Sequence, residues 1–155
     1  MKIAIDCDPA ATELRDALLE HLRRRGVDVT DLAYLSAHEG HYPDVAFHLA
    51  ERVSAGEFER GILLCGTGLG MAMCACKVPG VWAGTCHDVY SARRLRMSND
   101  AQVITMGQRV IGAELAKTIL DAWLDAEFAG GGSTPKVQRM RELEREALKK
   151  ASGNK

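Results

Sequence analysis

Within Cys65-Gly66-Thr67-Gly68-Leu69-Gly70 the chain carries one thiol, one hydroxyl and three glycines in six residues. This stretch follows the apolar run Gly61-Ile62-Leu63-Leu64, so the thiol is expected at the end of a strand covered on both faces. Glycines there let the backbone turn tightly and present several N–H groups at the start of a helix. Such an arrangement holds an anion, either a bound phosphate or a transient oxyanion. A thiol at the same place gains thiolate character from the helix dipole. Thr67 adds a hydroxyl that can donate to, or accept from, a substrate oxygen.

Moving a proton between the two carbons of an α-hydroxy carbonyl requires these parts. A base removes the proton beside the carbonyl, the charge appears on oxygen as an enediolate, and the proton returns to the neighbouring carbon. A cysteine thiolate can be that base, and backbone N–H groups can hold the oxyanion, at about 3 kcal/mol per donor in comparable sites. No metal and no cofactor is needed. Other readings of the stretch are weaker. Met71 stands where a dinucleotide fingerprint needs its third glycine, and Lys77 comes too late for a phosphate-binding Walker loop. A cysteine ending a strand can also be no more than a small buried hydrophobe.

The elements that position this stretch alternate between strand and helix from the first residue. Lys2–Ile5 reads as a strand that ends in Asp6-Cys7-Asp8, with Asp8 as a helix N-cap and Pro9 at the first helical position. Leu14, Ala17, Leu18 and Leu22 mark one face of the following helix, which Gly26 closes. A second strand is expected over Val27–Leu32, and a helix from Pro43 to Gly56. The third strand is Gly61–Cys65, followed by a helix over Met71–Lys77 and a fourth strand over Val81–Thr85. Further expectations are a helix over Asp88–Met97, a fifth strand over Val103–Met106, a helix over Ala113–Phe128 ended by Gly130-Gly131-Gly132, and a charged final helix over Pro135–Lys150. Five strands separated by helices predict one α/β domain over residues 1–155, a doubly wound parallel sheet with helices on both faces. Ligands in such sheets bind outside the carboxyl ends of the strands, which directs attention to Asp8, Cys65–Gly70, His87 and the segment after Met106. The last helix has a narrow apolar stripe of Val137, Met140, Leu143 and Leu148 that a five-stranded unit cannot cover. It is expected to pack on another subunit in a dimer or higher even oligomer.

Composition narrows the partners. Of 155 residues, 46% are hydrophobic and 26% charged, and twenty basic against twenty-one acidic side chains leave a formal charge of -1. That balance gives no electrostatic reason to expect nucleic acid or an anionic membrane. The apolar runs are too short to span a bilayer and no export signal is visible, so the cytoplasm is expected. Five cysteines, an odd number, fit reduced thiols better than a disulfide framework. Cys74, Cys76, Trp82 and Trp123 read as core. His38, Glu39 and His41 resemble a metal cluster, but their spacing is not the i, i+4 pair of a helical zinc site, and no metal site is assigned. A different class remains open, a flavodoxin-like regulatory domain using the glycine turn to hold a nucleotide or phosphate.

From Lys2 to about Leu148 the chain resembles the type B ribose-5-phosphate isomerase and galactose-6-phosphate isomerase family. The resemblance rests on the strand ending at Asp8, on Tyr42-Pro43, on Cys65-Gly66-Thr67-Gly68-Leu69-Gly70-Met71, on Ser98-Asn99-Asp100-Ala101 and on Gly107-Gln108-Arg109-Val110. It implies a Rossmann-like fold, a dimer with active sites at the subunit interface, often paired into tetramers, and a phosphorylated sugar as substrate, ribose 5-phosphate by default. By position it implies Cys65 as the base and Thr67 near the sugar oxygens. Gly66, Gly68 and Gly70 form the anion hole, Asp8, Tyr42 and Asn99 bind hydroxyls, and Arg109 binds phosphate. The chain departs from the family pattern after the first strand, where Asp8-Pro9 replaces Asp-His. It departs again ahead of the fifth strand, where Ser98-Asn99 replaces His-Asn. Near the C-terminus, Gly132 and Lys136 stand in place of two arginines. The histidine before Asn99 is the family's ring opener. Its loss leaves two substrate expectations: His87 on the active-site rim substitutes for it, or the substrate is a tetrose 4-phosphate, which needs no ring opened.

Overall fold

The computed structural model describes residues 1–153; Asn154 and Lys155, the end of the expected domain, lie outside the described residues. Five parallel strands, β1 (Lys2–Cys7), β2 (Asp28–Asp31), β3 (Arg60–Cys65), β4 (Ala83–Thr85) and β5 (Val103–Gly107), form one sheet in the order β2-β1-β3-β5-β4. All five expected strands and their helical crossovers are present. The helices are α1 (Thr12–Arg24), α2 (Tyr34–Ala37), α3 (Tyr42–Ser54), α4 (Leu69–Ala75), α5 (Val89–Asn99), α6 (Ala113–Leu124) and α7 (Thr134–Gly153).

Alternation along the three central strands sorts their side chains onto two faces. Ile3, Ile5, Ile62, Leu64, Ile104 and Met106 bury against α1, α5 and α6, around the fully buried Trp123. Ala4, Leu63, Cys65 and Val103 point the other way, into the layer of Val45, Leu49, Val53 and Met71 from α3 and α4. This parity aims the Cys65 side chain at the α3–α4 face. The strand order places β5 directly beside β3, with Cys65 and Gly107 as register partners. The chain reverses its winding between β1 and β3, and their carboxyl ends lie side by side, with the Asp8 N–H donating to the Leu64 carbonyl at 3.2 Å.

Several boundaries differ from the sequence expectations. α6 stops at Leu124 rather than Phe128 because of Arg60, a guanidinium only 4% exposed. It donates to the carbonyls of Trp123, Leu124 and Ala126 at 2.9–3.0 Å and to the Glu127 carboxylate at 2.8 Å. These bonds satisfy the carbonyls that end the helix, six residues before the next glycine, Gly130. α4 starts at Leu69, two residues earlier than expected, because Gly68 turns the chain in the left-handed region (φ 79°). A short helix, α2, was not anticipated; Ala33 ahead of it holds φ 45°. Of the two cysteines expected in the core, Cys74 is half-buried against the α3–α4 cluster, whereas Cys76 is exposed, its sulfur accepting from the Ala83 N–H at 3.2 Å. Trp82 is half-buried, with the Arg141 guanidinium 5.3 Å above its ring.

Candidate active site

The stretch Cys65–Gly70 bridges the end of β3 and the first turn of α4, as the glycines predict. The Gly68 N–H donates to the Cys65 sulfur at 3.0 Å. The sulfur is otherwise nearly enclosed, with Cys65 7% exposed. Exposed Thr67 lies beside it, its hydroxyl accepting weakly from the Leu69 N–H at 3.4 Å. The N–H groups of Gly66 and Thr67 have no acceptor among the described residues, and those of Gly70 and Met71, in the first turn of α4, have no intrahelical partner. This loop can therefore receive an anion.

Two features missed from sequence hold the loop in place. Thr105, fully buried in β5, donates to the Gly68 carbonyl at 2.8 Å, and Thr85 of β4 bonds to the Thr105 hydroxyl at 2.8 Å. The one hydroxyl within the apolar run Val103-Ile104-Thr105-Met106 was the available signal. Beyond β5, the Gln108 N–H donates to the Cys65 carbonyl at 3.0 Å and the Arg109 N–H to the Gly66 carbonyl at 3.1 Å. A Cβ on Gly107 would sit 2.5 Å from the Thr67 Cα, so only glycine permits this approach.

The other predicted residues divide into two groups. Arg109 is exposed, lies against Gly66 and has no ion-pair partner among the described residues, leaving its cation free beside the anion-holding loop. Tyr42, at the start of α3, sits over Gly70, where a Cβ would come within 2.5 Å of its ring. Asp8 accepts from the Ala10 N–H at 2.9 Å as the expected N-cap, and it lines a cavity of about 220 Å³ with Asp6, Arg15 and Ser36. His87, half-buried after β4, accepts the Gly107 N–H on Nε2 at 3.0 Å. Burial lowers its pKa below the ordinary histidine value, against the opposing charge of Asp88. These residues share the carboxyl end of the sheet with Cys65.

Asn99 and Lys136 do not. α5 runs back along the sheet, so Asn99 lies next to the segment before β5. There the Gln102 carbonyl accepts from Gly61 at the start of β3, and the Gln102 side chain accepts from the Trp82 N–H at 2.9 Å. α7 is fixed to the same end by Arg141 to Asp100 at 3.0 Å and by Glu144 to the Gly80 N–H at 3.1 Å. Gly61 to Cys65 is one strand, roughly 13 Å of rise. Within one chain, Asn99 and Lys136 are thus placed at the opposite end of the sheet from the thiol. Both are exposed. Ser98, beside Asn99, has its hydroxyl buried without a partner among the described residues.

The histidines suspected of metal binding have structural contacts. His38 stacks on Tyr34 with ring centroids 4.5 Å apart, and His41 forms a capping box with Asp44 at the head of α3. No group of three or more His, Cys, Asp or Glu side chains among the described residues is arranged to hold a metal ion. No helix among them is long and apolar enough to cross a membrane.

Comparison with known proteins agrees with this geometry. Residues 3–140 match the Ribose/Galactose Isomerase family. A D-erythrulose-4-phosphate isomerase of Pectobacterium atrosepticum is 54% identical, over 90% of this chain and 93% of its own length. Ribose-5-P isomerase B of Listeria innocua is 45% identical, over 93% and 97%. The solved structure of Clostridium thermocellum ribose-5-phosphate isomerase B superimposes with a TM-score of 0.89 at 41% identity, covering 95% of this chain and 99% of that one. With the glycine loop, the strand order and these likenesses in agreement, the chain belongs to the Ribose/Galactose Isomerase family and is an isomerase.

Proposed function

We propose that the enzyme interconverts the ketose and aldose forms of a tetrose 4-phosphate, D-erythrulose 4-phosphate and erythrose 4-phosphate, through an enediolate and without metal or nucleotide. Cys65 takes the proton from the carbon beside the carbonyl and returns it to the neighbouring carbon. The sulfur, held by the Gly68 N–H, is a thiolate before the first transfer, carries the proton as a thiol beside the enediolate, and is a thiolate again after the second. The open N–H groups of the glycine loop hold the enediolate oxygen, and Arg109 holds the phosphate as a free cation beside them. Thr67, Asp8 and Tyr42 orient the sugar hydroxyls.

The active site is completed by a second chain, in a homodimer or homotetramer. What supports this is the separation of Asn99 and Lys136 from Cys65 within one chain, together with the stripe on α7. Met140, Leu143 and Leu148 are left 37%, 48% and 44% exposed by the described residues of one chain. The partner's copies of Asn99 and Lys136 then reach the sugar and the phosphate. Five free cysteines and an even charge balance fit a cytoplasmic enzyme.

His87 is the observation that carries the choice of substrate. A pentose phosphate spends most of its time as a furanose and gains from an acid–base group that opens the ring. The two positions where the family resemblance places histidines are Pro9 and Ser98. His87, the remaining candidate, has Nε2 committed to the Gly107 N–H, so its neutral ring has no free lone pair to relay a proton. A tetrose 4-phosphate carries its phosphate on the hydroxyl that would close a five-membered ring, and it needs no ring opener. The printed activity of the Pectobacterium relative supports this reading. Ribose 5-phosphate is the second reading, favoured by the Listeria relative. Catalytic efficiency measured on both substrates with chelator-dialysed enzyme decides between them: the tetrose phosphate is expected to win by at least tenfold, and a tenfold advantage for ribose 5-phosphate overturns the proposal.

A further inference from the structure

β4 is only three residues long, and its backbone leaves the sheet before β5 ends. The last ladder bond between them is the Cys86 N–H to the Thr105 carbonyl, at 3.1 Å. Two residues further along β5, the Gly107 N–H has no strand carbonyl to meet on that side, and the imidazole of His87 takes the position. An N–H donor fixes the ring: Nε2 must be unprotonated to accept, so the neutral proton resides on Nδ1. The turn that follows is tied on its other side by Gln108 to the Cys65 carbonyl and by Arg109 to the Gly66 carbonyl. Gly107 also abuts Thr67 and Gly66 so closely that a Cβ would stand 2.5–2.7 Å from their backbone atoms. Any movement of Gly107 is therefore passed directly to the loop carrying Cys65 and to the residue carrying the free guanidinium.

We propose that His87 is a positioning residue that acts through Gly107: its neutral, Nδ1-protonated ring replaces the missing β4 backbone, and protonation releases the turn that aligns Cys65, Thr67 and Arg109. The charged and titratable groups on the surrounding elements are Asp88 at the head of α5, Cys65 at the end of β3 and Arg109 in the turn itself. Asp88 spends its carboxylate on the Ser91 N–H at 2.7 Å. Burial disfavours the imidazolium more than Asp88 favours it, so the ring stays neutral at pH 7 and gains its proton only below the ordinary histidine value. The contact is intact above that pH and lost as pH falls through the lowered pKa.

The role rests on the isomerase reading, but one arm of its test does not depend on turnover. In the full-length enzyme, ¹⁵N NMR of the His87 ring at pH 8 is expected to report the Nδ1–H tautomer. The Gly107 amide proton is expected to move upfield as falling pH protonates His87. In activity, His87→Ala is expected to lower kcat tenfold or more at pH 8. His87→Gln, whose Oε1 reaches as far as Nε2 and accepts without titrating, recovers most of that loss. The acid limb of its kcat/KM profile falls with one proton fewer than the parent's. An Nε2–H tautomer, a Gly107 amide indifferent to His87, or a His87→Ala enzyme with parental kcat each overturns the proposal.

Discussion

Cys65 and Gly107 are register partners on adjacent parallel strands, so the thiol and the turn that bears Arg109 end at the same level of the sheet. Arg109 then lies along Gly66 with no carboxylate among the described residues to neutralise it. Arg109→Ala is expected to raise KM for the sugar phosphate at least tenfold with a much smaller change in kcat. Arg109→Lys should fall between, since an ammonium is a point charge without the bidentate fork. Inhibition by inorganic phosphate should weaken in parallel. A KM unchanged in Arg109→Ala would remove this residue from the phosphate site.

The separation of Cys65 from Lys136 along the sheet predicts complementation between subunits. Cys65→Ala and Lys136→Glu homodimers should each be nearly inactive. After subunit exchange, verified by native mass spectrometry, each mixed dimer holds one site with both mutations and one with neither. Random mixing should therefore restore roughly a quarter of the parental activity. Mixed dimers as inactive as the parent mutants would mean that Lys136 serves the thiol of its own chain, or neither.

Asp6 predicts a pH dependence of stability. Its carboxyl is 1% exposed, accepts the N–H groups of Cys7 and Tyr34 at 2.8 and 3.2 Å, and has its pKa pushed up to about 6, chiefly by burial. A carboxyl raised in the folded state contributes stability below its unfolded value, and that contribution is lost as pH rises through about 6. Asp6→Asn should therefore gain on the parent between pH 5 and pH 8, by about 1.4 kcal/mol. Thermal unfolding across that range checks it, and a gap between the two proteins that does not change with pH contradicts it.

How much of this could be seen in the sequence follows from how local each signal is. Strand and helix periods, the Asp8-Pro9 cap and the glycine loop depend on neighbours within a few residues, and all of them appear in the structure. The end of α6 depends on Arg60, more than sixty residues away, and an arginine opening a strand gives no sign that it will cap a helix. Thr105 and His87 hold the loop because β5 lies between β3 and β4, an order that periodicity does not encode. Cys76 has an apolar run of neighbours but is exposed at the C-cap of a short helix. The candidate site was legible at the carboxyl end of the sheet. The placement of Asn99 and Lys136 at the other end required the path of α5 and α7.

The account stands most directly on proton transfer by Cys65. Erythrulose 4-phosphate incubated in deuterated water and followed by NMR should give erythrose 4-phosphate carrying solvent deuterium on the carbon beside the carbonyl. Cys65→Ala, with the parental circular dichroism and melting profile, should lose about a thousandfold or more of that rate, and Cys65→Ser should be badly impaired because an alcohol is far less acidic than a thiol. Product formed by Cys65→Ala within tenfold of the parental rate would contradict the assignment of this thiol as the base.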